Sequence, residues 1–242
     1  MTENPWDKKA LEFGDSEYGA HTDHTLVDLE NDFIEGALDQ IQPDRILDVG
    51  CGNGRRTRRW ANYASMTWGI DSSEEMIKLA KQLEQEGLHF AQMDVRELEK
   101  RNTYDMIISA RCLINLPTKA DQIALIDAIW AALAPGGYFI CCEGRAEGTE
   151  QLDKMRAMFD VAPLTLMKEN LNLDEDVIDH VWRKFNNNAH QSTLGIYYFI
   201  TRVLTQIKMQ DPKEVAKRLQ LEYDDMLELC TLGRHFCFCG RK

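Results

Sequence analysis

No stretch of the 242-residue sequence is long and apolar enough to span a bilayer, and its first residues, MTENPWDKK, hold no apolar signal core. Basic residues are scarce beside acidic ones, 28 Lys and Arg against 40 Asp and Glu, a formal charge of −12. That deficit disfavours binding to nucleic acid, which needs phosphate neutralisation. The seven cysteines lack the paired spacing of a zinc site. Cys141, Cys142, Cys237 and Cys239 lie in apolar runs and read as small buried hydrophobes. His21, Asp23 and His24 lie close together, but no further ligand cluster joins them, so no metal is expected. These absences predict a soluble, cytoplasmic protein that acts on small molecules, with no membrane and no nucleic acid as partner.

What is present suits a globular fold: 44% hydrophobic and 28% charged residues. An amphipathic helix is expected from Leu26 to Ile41, stopped by Pro43. From Arg45 short apolar runs alternate with helical segments. Strands are expected at Ile46–Val49, Thr67–Ile70, Leu88–Gln92, Tyr104–Ala110 and Tyr138–Cys142. Helices are expected from Gly54 to Ala64, after Ser72 and Ser73, and from Ala120 to Leu133. Ser72 with Glu75 forms a capping-box pattern. Short apolar strands separated by helices predict an α/β fold with a doubly wound, mostly parallel sheet.

Beyond Glu143 this rhythm fails. Gln151–Phe159 reads as helix, Asp174–Phe185 as helix or strand, and Asn186 to Asn188 as a break. The run Gly195–Leu204 is apolar and aromatic, a helix opens at Pro212, and two short strands are expected within Met226–Cys239. The chain therefore divides into an N-terminal lid segment and helix (1–42), a ligand-binding core (43–145), a helical cap (146–222) and closing strands (223–242).

The densest signal is Asp48-Val49-Gly50-Cys51-Gly52-Asn53-Gly54, a strand running through a glycine turn into a helix. Such a turn lets a ligand approach the backbone closely. The third glycine comes one residue early for a dinucleotide fingerprint, and Arg55 stands where Gly or Ala should pack. The Asp48 carboxylate would repel a pyrophosphate and welcome a cationic ligand. Asp71 and Asp94 follow the next two strands, so three acids stand at successive strand ends facing one crevice. Asp71 can accept hydrogen bonds from both hydroxyls of a ribose. Asp94 can take an adenine amino group while Val95 packs on the ring.

The ordered segments ILDVGCGNG, GIDSSEEMIKLAK, FAQMDVREL, YDMIISARCLINLP and ALAPGGYFICCEG resemble the motifs of class I S-adenosylmethionine-dependent methyltransferases, over Arg45 to Gly144. The resemblance implies a seven-stranded Rossmann-like sheet whose last strand is antiparallel, with S-adenosylmethionine across the carboxyl ends of the first strands. It places Gly50 and Gly52 by the methionine part, Asp71 by the ribose, and Asp94 with Val95 by the adenine, with Ser72 and Met76 also at the cofactor. Ser109, Ala110 and Arg111 would lie beside the sulfonium. A [DN]-P-P-[YFW] motif, usual in enzymes that methylate amide or exocyclic amino nitrogen, is absent after the fourth strand. The pattern is more similar to enzymes acting on small molecules or sugars, with oxygen as the expected acceptor atom. QSTLGIYYFITRVL resembles a segment of methyltransferases encoded with bacterial surface-polysaccharide genes.

Other residues keep two readings. Arg55, Arg56, Arg58 and Arg59 form either a solvated helix face or a contact for an anion. Arg111 either clamps a carboxylate or phosphate of the acceptor or forms a salt bridge to a loop acid. His190 and Tyr198 are candidates for acceptor chemistry, as general base and pocket wall. Tyr197, Phe199 and Trp182 are further candidates for that wall. Trp6, Tyr18 and His21 are the lid candidates that the resemblance implies. The competing functions are a nicotinamide-dependent oxidoreductase, disfavoured by Asp48 and Arg55, and a cofactor-binding partner protein without catalysis.

Overall fold

The computed structural model describes residues 4–14, 16, 23–98, 102–165, 167, 170–185, 190–192, 197, 199–203 and 235–242. Its elements are α1 (Pro5–Phe13), α2 (His24–Ile41), β1 (Arg45–Val49), α3 (Arg55–Trp60), β2 (Met66–Asp71), α4 (Glu74–Ala80), β3 (Leu88–Gln92) and β4 (Tyr104–Ala110). Then follow α5 (Lys119–Ala132), β5 (Leu133–Gly144), α6 (Ala146–Ala157), α7 (Glu175–Lys184), β6 (His190–Ser192) and β7 (His235–Arg241). The strands form one seven-stranded sheet in the order β3-β2-β1-β4-β5-β7-β6. β1 to β5 are parallel, and β7 runs antiparallel to β5.

Side-chain alternation along the strands feeds two cores. On one face Leu47, Ile107, Phe139, Phe236 and Phe238 pack against Leu125, Ile126 and Ile129 of α5 and Val177 and Val181 of α7. On the other, Ile46, Met106, Ile108, Ile140, Cys142 and Cys237 pack against Ile34 and Leu38 of α2 and Trp60 of α3. The strand cysteines are buried free thiols, as their apolar surroundings led one to expect.

Several expectations change. Asp174–Phe185 resolves as a helix because the Asp174 carboxylate caps it, accepting from Val177 N at 3.1 Å. Trp182 does not form a pocket wall: its ring lies edge-on to Phe238 at 5.0 Å, so α7 flanks the sheet beside α5. The fifth strand extends from Leu133 to Gly144. Ser73, not Ser72, caps α4, with Oγ accepting from Met76 N. Of the tail, β7 is one strand, and residues 226–234 lie outside the described residues, as do Tyr18, His21 and Tyr198.

Candidate functional site

The parallel strands deliver their carboxyl ends to one edge of the sheet, where β1 turns through glycines into α3. Gly50 has φ 77°, and a Cβ there would lie 2.7 Å from the Cys112 side chain, so only glycine fits. Gly52, at φ 53°, would meet nothing within 4 Å and leaves its side open to the cleft. Gly50 N and Cys51 N both donate to Ile70 O, which pins the turn to β2.

At the end of β2 the Asp71 carboxylate accepts from Gly52 N and Ser73 N, each at 2.9 Å. Burial pushes its pKa up, against the pull of those amides. Asp94 caps the turn Val95–Glu97 and is bonded by the Arg96 guanidinium, which holds its carboxyl below the usual range. These residues line a cleft of about 330 Å³, with Met76, Ala110, Arg111, Cys112 and Asn115. Of the residues expected at the cofactor, Gly50, Gly52, Asp71, Ser72, Met76, Asp94, Val95, Ala110 and Arg111 are thus brought together.

Asp48 and Ser109 are not among the lining residues. Asp48 is buried behind the glycine turn, where its carboxylate accepts from Thr57 Oγ1 at 2.5 Å and ties β1 to α3. Burial pushes its pKa up to about 7, so it is a poor fixed anion for a ligand. Ser109 is buried and donates to Glu143 at 2.7 Å, since Glu143, two residues beyond the partner Cys141 on β5, faces the same side of the sheet. Arg111 lies in the cleft wall with φ 62° and is paired with Glu30 of α2, its Nε at 3.0 Å. A salt bridge is thus present, but to a helix acid and not to the loop acid expected. His190 does not stand at the strand ends. Its backbone pairs with Cys239, itself opposite Ile140 in mid-sheet, on the outermost strand. Three strand spacings, about 14 Å, separate it from β4.

Of the lid candidates, Trp6 lies in the cleft wall. Helix α1 brings Asn4, Pro5 and Trp6 into the cleft wall. It is fastened at both ends, by Asp7 to the start of α4 and by Asn53 Nδ2 to Gly14 O and Ser16 O. Tyr197 is away from the cleft lining; its hydroxyl donates to Asp23, the N-cap of α2, which also pairs with Arg202. Arg59 pairs with Glu35, while Arg55, Arg56, Arg58 and Arg59 border a second, shallow groove.

Two acids were missed in the sequence. Glu30 is fully buried and pairs with Arg111, Arg56 and His235. Its signal was a carboxylate on the apolar stripe of α2, four residues after Leu26 and four before Ile34. Glu143 is fully buried at the end of β5 and accepts from Ser109 Oγ and from the amides of Cys112, Leu113 and Ile114. It thereby shapes the turn after β4, whose Asn115 is held by its own Nδ2 bond to Arg111 O.

The open cradle at Gly52, the Asp71 carboxylate beside it and a cleft of nucleoside size fit an adenosine-bearing ligand. Residues 46–137 match the model of a methyltransferase domain. The putative methyltransferase YqeM of Bacillus subtilis is 26% identical over 225 residues, 91% of this chain and 85% of that protein. A ubiquinone biosynthesis O-methyltransferase of Haemophilus ducreyi is 28% identical over 123 residues, 47% of this chain and about half, 51%, of that protein. Among solved structures, the complex of the Haloferax volcanii Trm112 methyltransferase activator with its putative methyltransferase superposes with a TM-score of 0.65 at 16% identity, covering 100% of this chain and 99% of that one. N-methyltransferase NodS of Bradyrhizobium japonicum, bound to S-adenosyl-L-homocysteine, superposes with a TM-score of 0.58 at 15% identity, over 97% and 92% of the two chains. Among the described residues no helix is long and apolar enough to cross a membrane.

Proposed function

We propose that the chain is a class I S-adenosylmethionine-dependent methyltransferase that carries the methyl group to an oxygen of a small-molecule or sugar-type acceptor. The bound cofactor supplies an electrophilic methyl carbon on a sulfonium that departs as a neutral thioether. What remains for the protein is to bind, orient and exclude water. Asp71, aligned by two backbone amides, takes the ribose hydroxyls. Val95 and Met76 pack on the base and sugar, Asp94 reads the adenine amino group, and Gly50, Gly52 and Ala110 give the methionine part close backbone approach. Ser72 borders the ribose, and α1 roofs the cleft.

No histidine stands among the described lining residues, and both lining carboxylates, Asp71 and Asp94, are already engaged. That favours an acceptor oxygen that ionises without a protein base. The oxygen assignment draws on the O-methyltransferase relative, the methyltransferase assignment on the family.

One observation carries the reading against a nicotinamide enzyme: the Asp71 carboxylate bonded to the amide of Gly52, where a pyrophosphate would need that N–H. Calorimetric titration with S-adenosylhomocysteine and with NAD tests it. Saturable binding of S-adenosylhomocysteine alone is expected; binding of NAD alone would overturn the proposal. Offering phenol and aniline with methyl-labelled cofactor tests the acceptor atom. Label on phenol supports oxygen, and label on aniline alone removes it.

A further inference from the structure

Polar side chains line the cleft, but their donors are used within the chain. Asn4 Nδ2 donates to Ser72 Oγ, Asn53 Nδ2 to the carbonyls of Gly14 and Ser16, and Asn115 Nδ2 to Arg111 O. The lining arginines are paired with acids of the chain, Arg56 and Arg111 with Glu30 and Arg96 with Asp94. Asp71 and Asp94 are the lining carboxylates, and the cofactor takes both. A hydroxyl-rich acceptor such as a sugar would therefore enter with several hydroxyls stripped of water and unpartnered, at a cost for each.

What the cleft does offer an acceptor is carbon. The turn after β4 contributes Leu116 and Pro117, and α1 contributes Pro5 and Trp6. Two further apolar side chains carry this surface outward. Among the described residues the exposed large hydrophobic side chains are Leu11, Trp68, Met167 and Leu171, and the last two, 42% and 39% exposed, both flank the cleft. Leu171 N donates to Ile114 O at 2.7 Å, which seats it beside the turn that carries Leu116 and Pro117. Met167 Sδ accepts from Lys9 Nζ at 3.8 Å, and the same ammonium lies 4.2 Å from the centre of the Trp6 ring. Leu171 thus stands at the β4 wall of the cleft and Met167 at its α1 wall. Leu173 N, two residues on, donates to Gly144 O, so this stretch lies over the ends of β4 and β5, beyond the strands that hold the cofactor.

Two independent features point to one class of molecule. An apolar wall built from an indole, a thioether and aliphatic groups suits a flat ring, which packs well on each of them. A lining without histidine, whose carboxylates are engaged, suits an oxygen that gives its proton to water. A phenolic hydroxyl, with a pKa of about 10, does so far more readily than a sugar hydroxyl. We infer that the acceptor is an aromatic hydroxyl compound, seated with its ring against Trp6, Met167 and Leu171 and its oxygen towards the end of β4. The inference rests on the proposed methyl transfer to oxygen and narrows its acceptor to this class, to the exclusion of sugars.

The test titrates β-naphthol and methyl glucoside calorimetrically into the protein with S-adenosylhomocysteine at saturation. The same titrations are made on Met167→Ser, Leu171→Ser and, as a control at an exposed residue of α1 outside the lining, Leu11→Ser. The wild type should bind β-naphthol at least about tenfold more tightly than the glucoside, and Met167→Ser and Leu171→Ser should each weaken it by about 3- to 10-fold, as for part of the burial of one apolar side chain. Leu11→Ser should leave it unchanged, and all three variants should keep S-adenosylhomocysteine affinity within about twofold of wild type. A glucoside that binds as tightly as β-naphthol would overturn the inference, as would full β-naphthol affinity in both Met167→Ser and Leu171→Ser. An equal loss in Leu11→Ser would mark adsorption to apolar surface and overturn it too. Protein that binds S-adenosylhomocysteine but not β-naphthol would overturn the acceptor class alone, whereas protein that does not bind S-adenosylhomocysteine would overturn the cofactor assignment beneath it.

Discussion

The Asp7 carboxylate accepts a 2.5 Å hydrogen bond from Ser73 Oγ while that hydroxyl accepts from Met76 N, so a residue of the first helix completes the cap of α4. Asp7 also takes the amide of Glu75. Helix α1, which borders the cleft, is thus latched to the element that follows Asp71. Asp7→Ala should remove about 0.5–2 kcal/mol of latch, the usual worth of a capping interaction. S-adenosylhomocysteine should leave faster in stopped-flow dissociation, with a small change in melting temperature. An unchanged dissociation rate would show that the latch does not hold ligand.

Asp71→Ala should weaken S-adenosylhomocysteine by about 1.5–3 kcal/mol, the worth of hydrogen bonds to a charged group. Because Asp71 also orders Gly52 and Ser73, Asp71→Asn, which keeps one acceptor, should lose less. Calorimetry that finds both variants at wild-type affinity would remove Asp71 from the site.

The two glycines of the turn should fail differently. Gly50→Ala drives a Cβ to 2.7 Å from the Cys112 side chain at positive φ, and should lower thermal stability as well as binding. Gly52→Ala meets nothing and costs about 1–2 kcal/mol of backbone strain. It should stay folded and still lose ligand, because its methyl group projects into the space that the cofactor takes. Melting curves with and without S-adenosylhomocysteine separate the two outcomes.

Glu143 makes stability depend on pH. Burial pushes its pKa up to about 7, outweighing the hydroxyl and the three amides that favour its charge. The titratable groups facing it are the thiols of Cys112 and Cys141, whose own pKa values burial also raises. A carboxyl raised above its unfolded value contributes its full stability below that value and loses it as pH climbs through about 7. The amount is on the order of 3 kcal/mol. The wild-type melting temperature should fall between pH 5 and 8, and in Glu143→Gln the fall should be smaller by about 5–10 °C. Equal slopes in the two proteins would show that Glu143 does not titrate in this range.

Elements whose signal is local were legible in the sequence. The five parallel strands, the glycine turn and the acids at 71 and 94 all announce themselves by alternation or by position at a strand end. Asp48 misled because the strand-end argument does not say on which side of the turn a carboxylate lies; Thr57, nine residues on, decides that. Ser109 misled in the same way, since β5 supplies Glu143 to its side of the sheet. The partner of Arg111 was out of reach, being 81 residues away on a helix that only the folded sheet brings near. Trp182 read as pocket wall for want of knowing that α7 lies beside α5. Glu30 alone carried a usable warning, the one acid of α2 that falls on its buried face.

Of the five tryptophans, Trp6 alone is among the residues lining the cleft. It hangs on the latched helix with Lys9 Nζ 4.2 Å from the centre of its ring, whereas Trp60, Trp130 and Trp182 belong to the packed faces of the sheet and Trp68 lies on β2. An indole beside an ammonium group and next to an adenosine-sized space changes its emission when that space fills. Trp6 is therefore placed to serve as an optical gauge of occupancy, through which ligand binding and departure should be followed by intrinsic fluorescence without a label.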